Sequence, residues 1–302
     1  MTAGTARTDR PFGTLGAAMV TPFTADGSAV DLEAAQRLAA HLVEGGHDLL
    51  VVSGTTGEAP TLSDAEKVQL SRAVREAAGP EVTILAGVGT YDTAHSIELA
   101  RAHADLALDG LLVVTPYYSK PTQAGIIAHT RAVADATDLP VMLYDIPGRS
   151  GVPLELETLQ RLGEHERILA VKDAKGDLQQ AGIVMASTDF AYYSGEDALN
   201  LPWLAIGAAG LVSVVSQVAP QLERELVDAV ERSDLAAAQD AHHRLVPVVQ
   251  AIMTRLPGAV AAKTALHLQG VLPNAAMRGP HAPADEGQVS ALRTALDAVG
   301  LL

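Results

Sequence analysis

Eight short, continuously apolar runs recur along the chain, at residues 16–20, 48–53, 82–88, 110–115, 140–146, 168–173, 190–194 and 210–216. Their spacing, roughly 20 to 35 residues, suits a strand, a crossover helix and two loops. Segments of helical periodicity lie between several of them, at 31–45, 63–78, 93–108, 122–137 and 154–162. Ser63 followed by Glu66 has the form of a capping box and marks one helix start. Eight β/α units in unbroken series predict a (β/α)8 barrel. A doubly wound sheet is the alternative, weakened by the lack of a nucleotide fingerprint: Gly87-Val88-Gly89 has no third glycine. After Gln217 the pattern is helical only, at 220–232, 235–254, 259–269 and 284–302, with an irregular connection over 273–283. The expected organisation is a loose polar tail at 1–11, a barrel at 12–233 and a C-terminal α-helical domain at 234–302.

Composition narrows the function classes. Hydrophobic residues make up 48% of the chain and aromatics only 3%, so the core must be Ala, Val, Leu and Ile, as in a parallel sheet under helices. A net charge of -15, with no clustered Lys or Arg, argues against nucleic acid and anionic membranes as partners. It leaves room for a small anionic substrate held by a few local cations. The absence of cysteine removes disulfides, thiolate metal sites and cysteine nucleophiles. The histidines show no HExxH spacing and nothing asks for a metal. No uninterrupted apolar stretch reaches membrane-spanning length, and residues 1–11 lack the hydrophobic segment of a signal peptide. A cytoplasmic enzyme is the expectation.

In such barrels the active site forms at the carboxyl ends of the strands, and unusual polar residues collect there. Run 2 is followed by Gly54-Thr55-Thr56-Gly57-Glu58, run 4 by Thr115-Pro116-Tyr117-Tyr118, and run 5 by Tyr144-Asp145-Ile146-Pro147-Gly148-Arg149. Run 6 ends at Lys172, one of five lysines; run 7 ends in Gly195-Glu196-Asp197, and run 8 carries Ser213 and Ser216. Burial at a strand end penalises an ammonium, so the Lys172 amine is expected to have a lowered pKa and to be able to attack a carbonyl. Taken alone, such a lysine more often reaches solvent or pairs with an acid, and Asp173 is adjacent. Arg149 alone reads as a solvated turn charge, and the tyrosines as surface residues. Their joint placement favours chemistry: an imine between Lys172 and a 2-oxo acid, and a hydroxyl relay through Tyr144, Thr55 and Tyr118. Backbone N–H groups around Thr55 and Thr56, in a turn at a helix start, would hold a carboxylate, and Arg149 a second one.

The motifs GTTGE (54–58), TPYY (115–118), YDIPGR (144–149) and VKD (171–173) make the chain resemble the dihydrodipicolinate synthase family of pyruvate-dependent lyases, which includes N-acetylneuraminate lyase. The resemblance runs from Phe12 onward, through the C-terminal helices. It implies a Schiff base between pyruvate and Lys172, with Tyr144 as proton shuttle and Thr55 and Tyr118 completing its relay. It also implies that Thr56 binds the pyruvate carboxylate, Arg149 the carboxylate of aspartate semialdehyde, and that Gly195 and Val212 line the pocket. No metal or organic cofactor is implied. Tyr118 would reach into a partner's site in an obligate dimer, doubled to a homotetramer.

Glu196, Val212 and Ala59 stand where Asp, Ile and Ser are usual, which bears on fine substrate fit. Lys67, Tyr91 and His95 replace the residues that hold inhibitory lysine, so weak or absent lysine feedback is expected. Three alternatives stay open: a related aldolase for another aldehyde or a 2-keto-3-deoxy sugar acid, a silent 2-oxo-acid sensor, and a phosphate-binding isomerase. The acidic Gly195-Glu196-Asp197 disfavours the last, and intact Lys172 and Tyr144 the second.

Overall fold

The computed structural model describes residues 10–302. The chain alternates β1 (Leu15–Ala18), α1 (Leu32–Glu44), β2 (Leu49–Val52), α2 (Asp64–Ala78), β3 (Thr83–Gly87), α3 (Thr93–His103) and β4 (Gly110–Val114). It continues with α4 (Gln123–Ala134), β5 (Val141–Asp145), the single turn α5 (Pro147–Ser150), α6 (Leu156–Leu162), β6 (Ile168–Asp173) and α7 (Leu178–Ser187). β7 (Ala191–Ser194), α8 (Asn200–Ala205), β8 (Gly210–Ser213) and α9 (Pro220–Glu231) complete the circuit. All eight strands pair in parallel in sequence order, and β8 returns to β1, so the sheet closes as the expected (β/α)8 barrel.

Side chains point alternately into the barrel and out under the helices. Leu49, Val51, Leu85, Leu112, Met142 and Val212 belong to the inner cluster. Their neighbours Leu50, Ile84, Leu111, Leu143 and Leu211 pack outward against the helical layer. Side-chain caps start the helices where the sequence offers them: Asp31 accepts from Ala34 N, and Ser63 and Glu66 close a reciprocal box at α2. Helix α7 was not expected from the sequence. Only Ala181 and Val184 of its Leu, Ile, Val and Met-rich run are buried, so no clean apolar stripe marks it.

The C-terminal extension consists of α10 (Leu235–Met253), α11 (Gly258–Leu268) and α12 (Glu286–Asp297). α10 packs on α9 and α8, and α11 and α12 pack on α10. Residues 1–9 of the expected tail lie outside the described residues. Arg10, at its end, is ion-paired with Glu231 of α9.

Phe12 closes the amino-terminal mouth of the barrel. It is fully buried, its N–H donates to the Tyr193 hydroxyl at 3.2 Å, and the two rings lie 6.4 Å apart. Space for it depends on Gly110 at the start of β4, where a Cβ would come within 2.9 Å of the Phe12 ring. Phe12→Ala is therefore expected to leave a void in the inner layer and cost about 3–5 kcal/mol. Urea unfolding of the variant checks this, and a loss under about 1 kcal/mol would show that the mouth is closed by other means.

Candidate active site

Lys172 is the penultimate residue of β6 and points into the barrel, in register with Tyr144 on β5 and Tyr193 on β7. It is only 5% exposed, and its amine lies 4.3 Å from the centre of the Tyr144 ring. Among the described residues its amine has no hydrogen-bond or ion-pair partner. Burial pushes its pKa down to about 8; Asp197 opposes the shift and Arg149 adds to it. The amine is thus partly neutral near physiological pH. Gly195, just past β7, is what leaves room for the side chain. A Cβ there would lie 2.9 Å from Lys172 Cγ.

The adjacent acid is not a partner. Strand alternation sends Asp173 to the outer face, where its Oδ1 accepts the N–H groups of Lys175 and Gly176, both at 2.8 Å. Asp145, beside Tyr144, likewise faces outward and pairs with Lys175 at 3.0 Å. Asp197 is the buried acid that acts on Lys172, and it is held by the Ser213 hydroxyl and by Val214 N at 3.1 Å. Ser213 therefore turns away from the barrel interior, and Ser216 bonds to the carbonyls of Gly16 and Ser213. Neither serine points into the barrel beside Lys172: the parity of β8 gives the inward position to Val212, and Ser216 lies beyond the strand.

Tyr144 is buried, and burial raises its phenol to about 12; Arg149 and a hydrogen bond with Thr55 pull the other way. The group stays protonated across the working range, so it can donate a proton and accept one back. Thr55 and Thr56 sit half-buried in the turn after β2. That turn does not start an α-helix, contrary to expectation. A 3-10 turn (Ala59–Thr61) follows it, and α2 begins only at Asp64. Pro60 and the extended Leu62 and Ser63 prevent a direct strand-to-helix passage. Ser53 and Glu58 bracket the turn with φ of 54° and 56°. That left-handed region costs a non-glycine residue about 1 kcal/mol or more.

Ser53, Thr55, Gly89, Leu112, Tyr117 and Tyr144 border a small cleft. Arg149 lies exposed on α5, close enough to lower the pKa of both Tyr144 and Lys172. Val212 is buried in the barrel interior. Tyr118 is not brought to this cleft within one chain: it is 91% exposed, with φ of 70°. Tyr117 is the member of the pair that lines the cleft, stacked edge-on against Tyr91 with ring centres 5.5 Å apart.

Sequence reasoning missed the buried ion pair of Glu58 with Lys263 of α11. The sequence signal existed, since a lysine inside the apolar segment 258–268 needs a partner, but nothing along the chain pointed to Glu58. The site expected to hold lysine elsewhere in such proteins has its own internal pairing. Asp64 accepts from Lys67 at 3.4 Å and is bonded to His95 at 2.9 Å.

A family model described as the dihydrodipicolinate synthetase family matches residues 11–299. The 4-hydroxy-tetrahydrodipicolinate synthase of Kineococcus radiotolerans is 60% identical over 300 residues, covering 99% of this chain and 97% of the relative. That of Mycolicibacterium paratuberculosis is 54% identical over 290 residues, 96% of each. Among solved structures, dihydrodipicolinate synthase from Cyanidioschyzon merolae with lysine bound has a TM-score of 0.93 at 40% identity, covering 97% of this chain and 100% of that one. The chloride-inhibited synthase from Acinetobacter baumannii, complexed with pyruvate, has a TM-score of 0.92 at 34% identity, covering 96% of this chain and 100% of that one.

An amine whose pKa is lower folded than unfolded opposes folding wherever it is charged. The penalty is complete below pH 8 and fades as pH rises from there towards 10.5. Lys172→Met is therefore expected to be more stable than the parent at pH 7, by on the order of 3 kcal/mol. Denaturant unfolding at pH 7 and pH 10 checks this. A variant no more stable than the parent at pH 7 would mean that the buried amine is not under strain.

Proposed function

Because the chain belongs to the dihydrodipicolinate synthetase family, we propose that it condenses pyruvate with L-aspartate 4-semialdehyde to give 4-hydroxy-tetrahydrodipicolinate and water, the reaction that commits carbon to diaminopimelate and lysine. The observation that carries this reading is the Lys172 amine, buried against the Tyr144 ring with no carboxylate bonded to it, and with Asp197 and Arg149 near enough to shift its pKa.

The neutral amine attacks C2 of pyruvate, and the carbinolamine loses water to give an imine. The imine nitrogen draws electrons from C3, so a C3 proton leaves and an enamine forms. That carbon attacks the aldehyde of the semialdehyde, and Tyr144 protonates the new alkoxide. The semialdehyde's own amino group then adds to the imine carbon and expels Lys172, closing the ring. One water is lost in total. Thr55 passes protons to and from Tyr144, Thr56 binds the pyruvate carboxylate, and Arg149 binds that of the semialdehyde with a two-pronged grip. Val212 and Gly195 shape the floor. No cofactor enters this scheme, because the lysine itself serves as the electron sink.

Tyr118 acts in trans. Its exposure, its left-handed backbone and the neighbouring exposed Tyr91 suit a face that meets a second copy of the chain. The working unit is then a dimer, doubled to a tetramer, in the cytoplasm where both substrates are made. Lysine should regulate it weakly or not at all. Asp64 is already shared between Lys67 and His95, which leaves no free carboxylate for a cationic effector and places a buried ammonium beside it.

Borohydride reduction in the presence of pyruvate should add a pyruvyl-derived mass to Lys172, located by peptide mass spectrometry. A label elsewhere, or none, ends the proposal. Lys172→Ala should fold and lose nearly all turnover. At limiting pyruvate the labelling rate should rise about tenfold per pH unit below pH 8 and level off above it, following the neutral amine. A separate assay addresses regulation: turnover should survive millimolar L-lysine, and strong inhibition at sub-millimolar concentration would contradict the reading of Lys67 and His95.

A further inference from the structure

Glu58 and Lys263 are both sealed from solvent, and their ion pair joins the turn carrying Thr55 and Thr56 to α11 of the C-terminal extension. We infer that this pair is a clamp through which the C-terminal helices set the geometry of the substrate turn, making Glu58 and Lys263 positioning residues for pyruvate. The inference rests on the reaction proposed above, in which that turn holds the substrate carboxylate.

The clamp uses both oxygens of Glu58. Oε1 accepts from Lys263 Nζ, and Oε2 accepts from the backbone N–H of Arg278 at 3.0 Å. Lys263 donates again to the Ala276 carbonyl at 2.9 Å and lies 4.3 Å above the Phe23 ring. The Arg278 guanidinium lies 4.5 Å from the same ring and donates to both oxygens of Glu66 on α2. On the other side, the backbone of Glu58 is tied directly to the turn. Its N–H donates to the Thr55 carbonyl at 3.1 Å, and Ala59 N–H to that of Gly54 at 3.2 Å. The Thr21 hydroxyl holds the Gly57 carbonyl at 2.7 Å.

Two features make this more than a stabilising contact. The turn is bracketed by Ser53 and Glu58, both non-glycine residues in left-handed backbone, so its shape must be imposed by its surroundings. The imposing charge comes from a residue 205 positions away in sequence, on a helix that contributes nothing else to the cleft. Without Lys263, the Glu58 carboxylate would stand buried and unpaired, and relief would come by protonation or by swinging out. The second route carries Thr55 and Thr56 with it.

The test compares Lys263→Met, Glu58→Gln and the control Leu266→Ala, which removes a buried α11 side chain that takes no part in the ion pair. Half-saturating pyruvate is read from borohydride labelling of Lys172 and from steady-state kinetics. Each clamp variant should raise it by about tenfold or more, with a smaller effect on kcat. The double variant should be no worse than Lys263→Met, since both act through one contact. Leu266→Ala should lower the unfolding midpoint and leave half-saturation within about twofold of the parent. Should Lys263→Met fail to fold, Glu58→Gln, which keeps the side chain's shape, decides. In the parent protein, amide exchange at 55–58 should open in one unit with α11. Half-saturation unchanged in a folded clamp variant, or exchange of the turn separately from α11, overturns the clamp alone. An unlabelled parent protein overturns the reaction and the clamp together.

Discussion

The constraint on which the rest of this barrel depends is an amine held out of water without a counter-ion. Charged groups are buried only when paired, or else they give up their charge. Lys172 takes the second course, and its surroundings are arranged to make that possible. Parity along β6 sends the adjacent carboxylate outward, where the backbone N–H groups of Lys175 and Gly176 engage it. Gly195 keeps a side chain off the aliphatic stem. The ring of Tyr144 covers the amine with a weak acceptor that tempers the charge without fixing it. A full ion pair in any of these positions would leave an ammonium, which is no nucleophile.

Most of this architecture was legible along the chain, for a simple reason. Parallel strands buried on both faces read as continuous apolar runs, and the helices between them carry caps such as Ser63 and Glu66. The barrel follows from repetition of one unit. Lys172, Tyr144, Thr55 and Arg149 were visible because they interrupt apolar runs or follow them on the rim. The parts that could not be read depend on contacts between distant segments or on strand parity. Ser213 sits at the right end of β8 yet faces away from the barrel interior, which only the register with β1 reveals, and Ser216 lies beyond the strand in a 3-10 turn. Helix α7 shows no stripe because most of its apolar residues stay partly exposed. The turn after β2 looked like a helix start, and Pro60 with the extended residues behind it moved that start to Asp64.

Tyr118 illustrates a different limit. Its expected role lay in a partner's site rather than in its own chain's cleft, and the folded chain presents it to solvent at 91% exposure. Tyr117 and Tyr118 are neighbours in a loop with a left-handed residue between strand and helix, so they diverge by construction. A relay that uses Tyr118, as proposed above, would be complete only across two chains. Exposed aromatic surface of this kind is costly in a lone molecule, so under that proposal assembly and chemistry would be two aspects of one arrangement.

Three of the five lysines are nearly or wholly buried, and the fates of two of them, Lys172 and Lys263, differ for a reason that generalises. Lys263 meets Glu58, and the Coulomb attraction and hydrogen bond to that carboxylate work against the lowering that burial brings, so the amine is held in a structural contact. Lys172 meets an aromatic face, a distant arginine and a carboxylate already committed to Ser213 and two backbone amides. Its lowering runs far enough to free the lone pair. Burial alone therefore does not make a lysine reactive. The decisive variable is whether a carboxylate comes within bonding distance with lone pairs to spare, and around Lys172 the strand-end acids Asp145 and Asp173 face outward while both oxygens of Asp197 are engaged by Ser213 and two backbone amides.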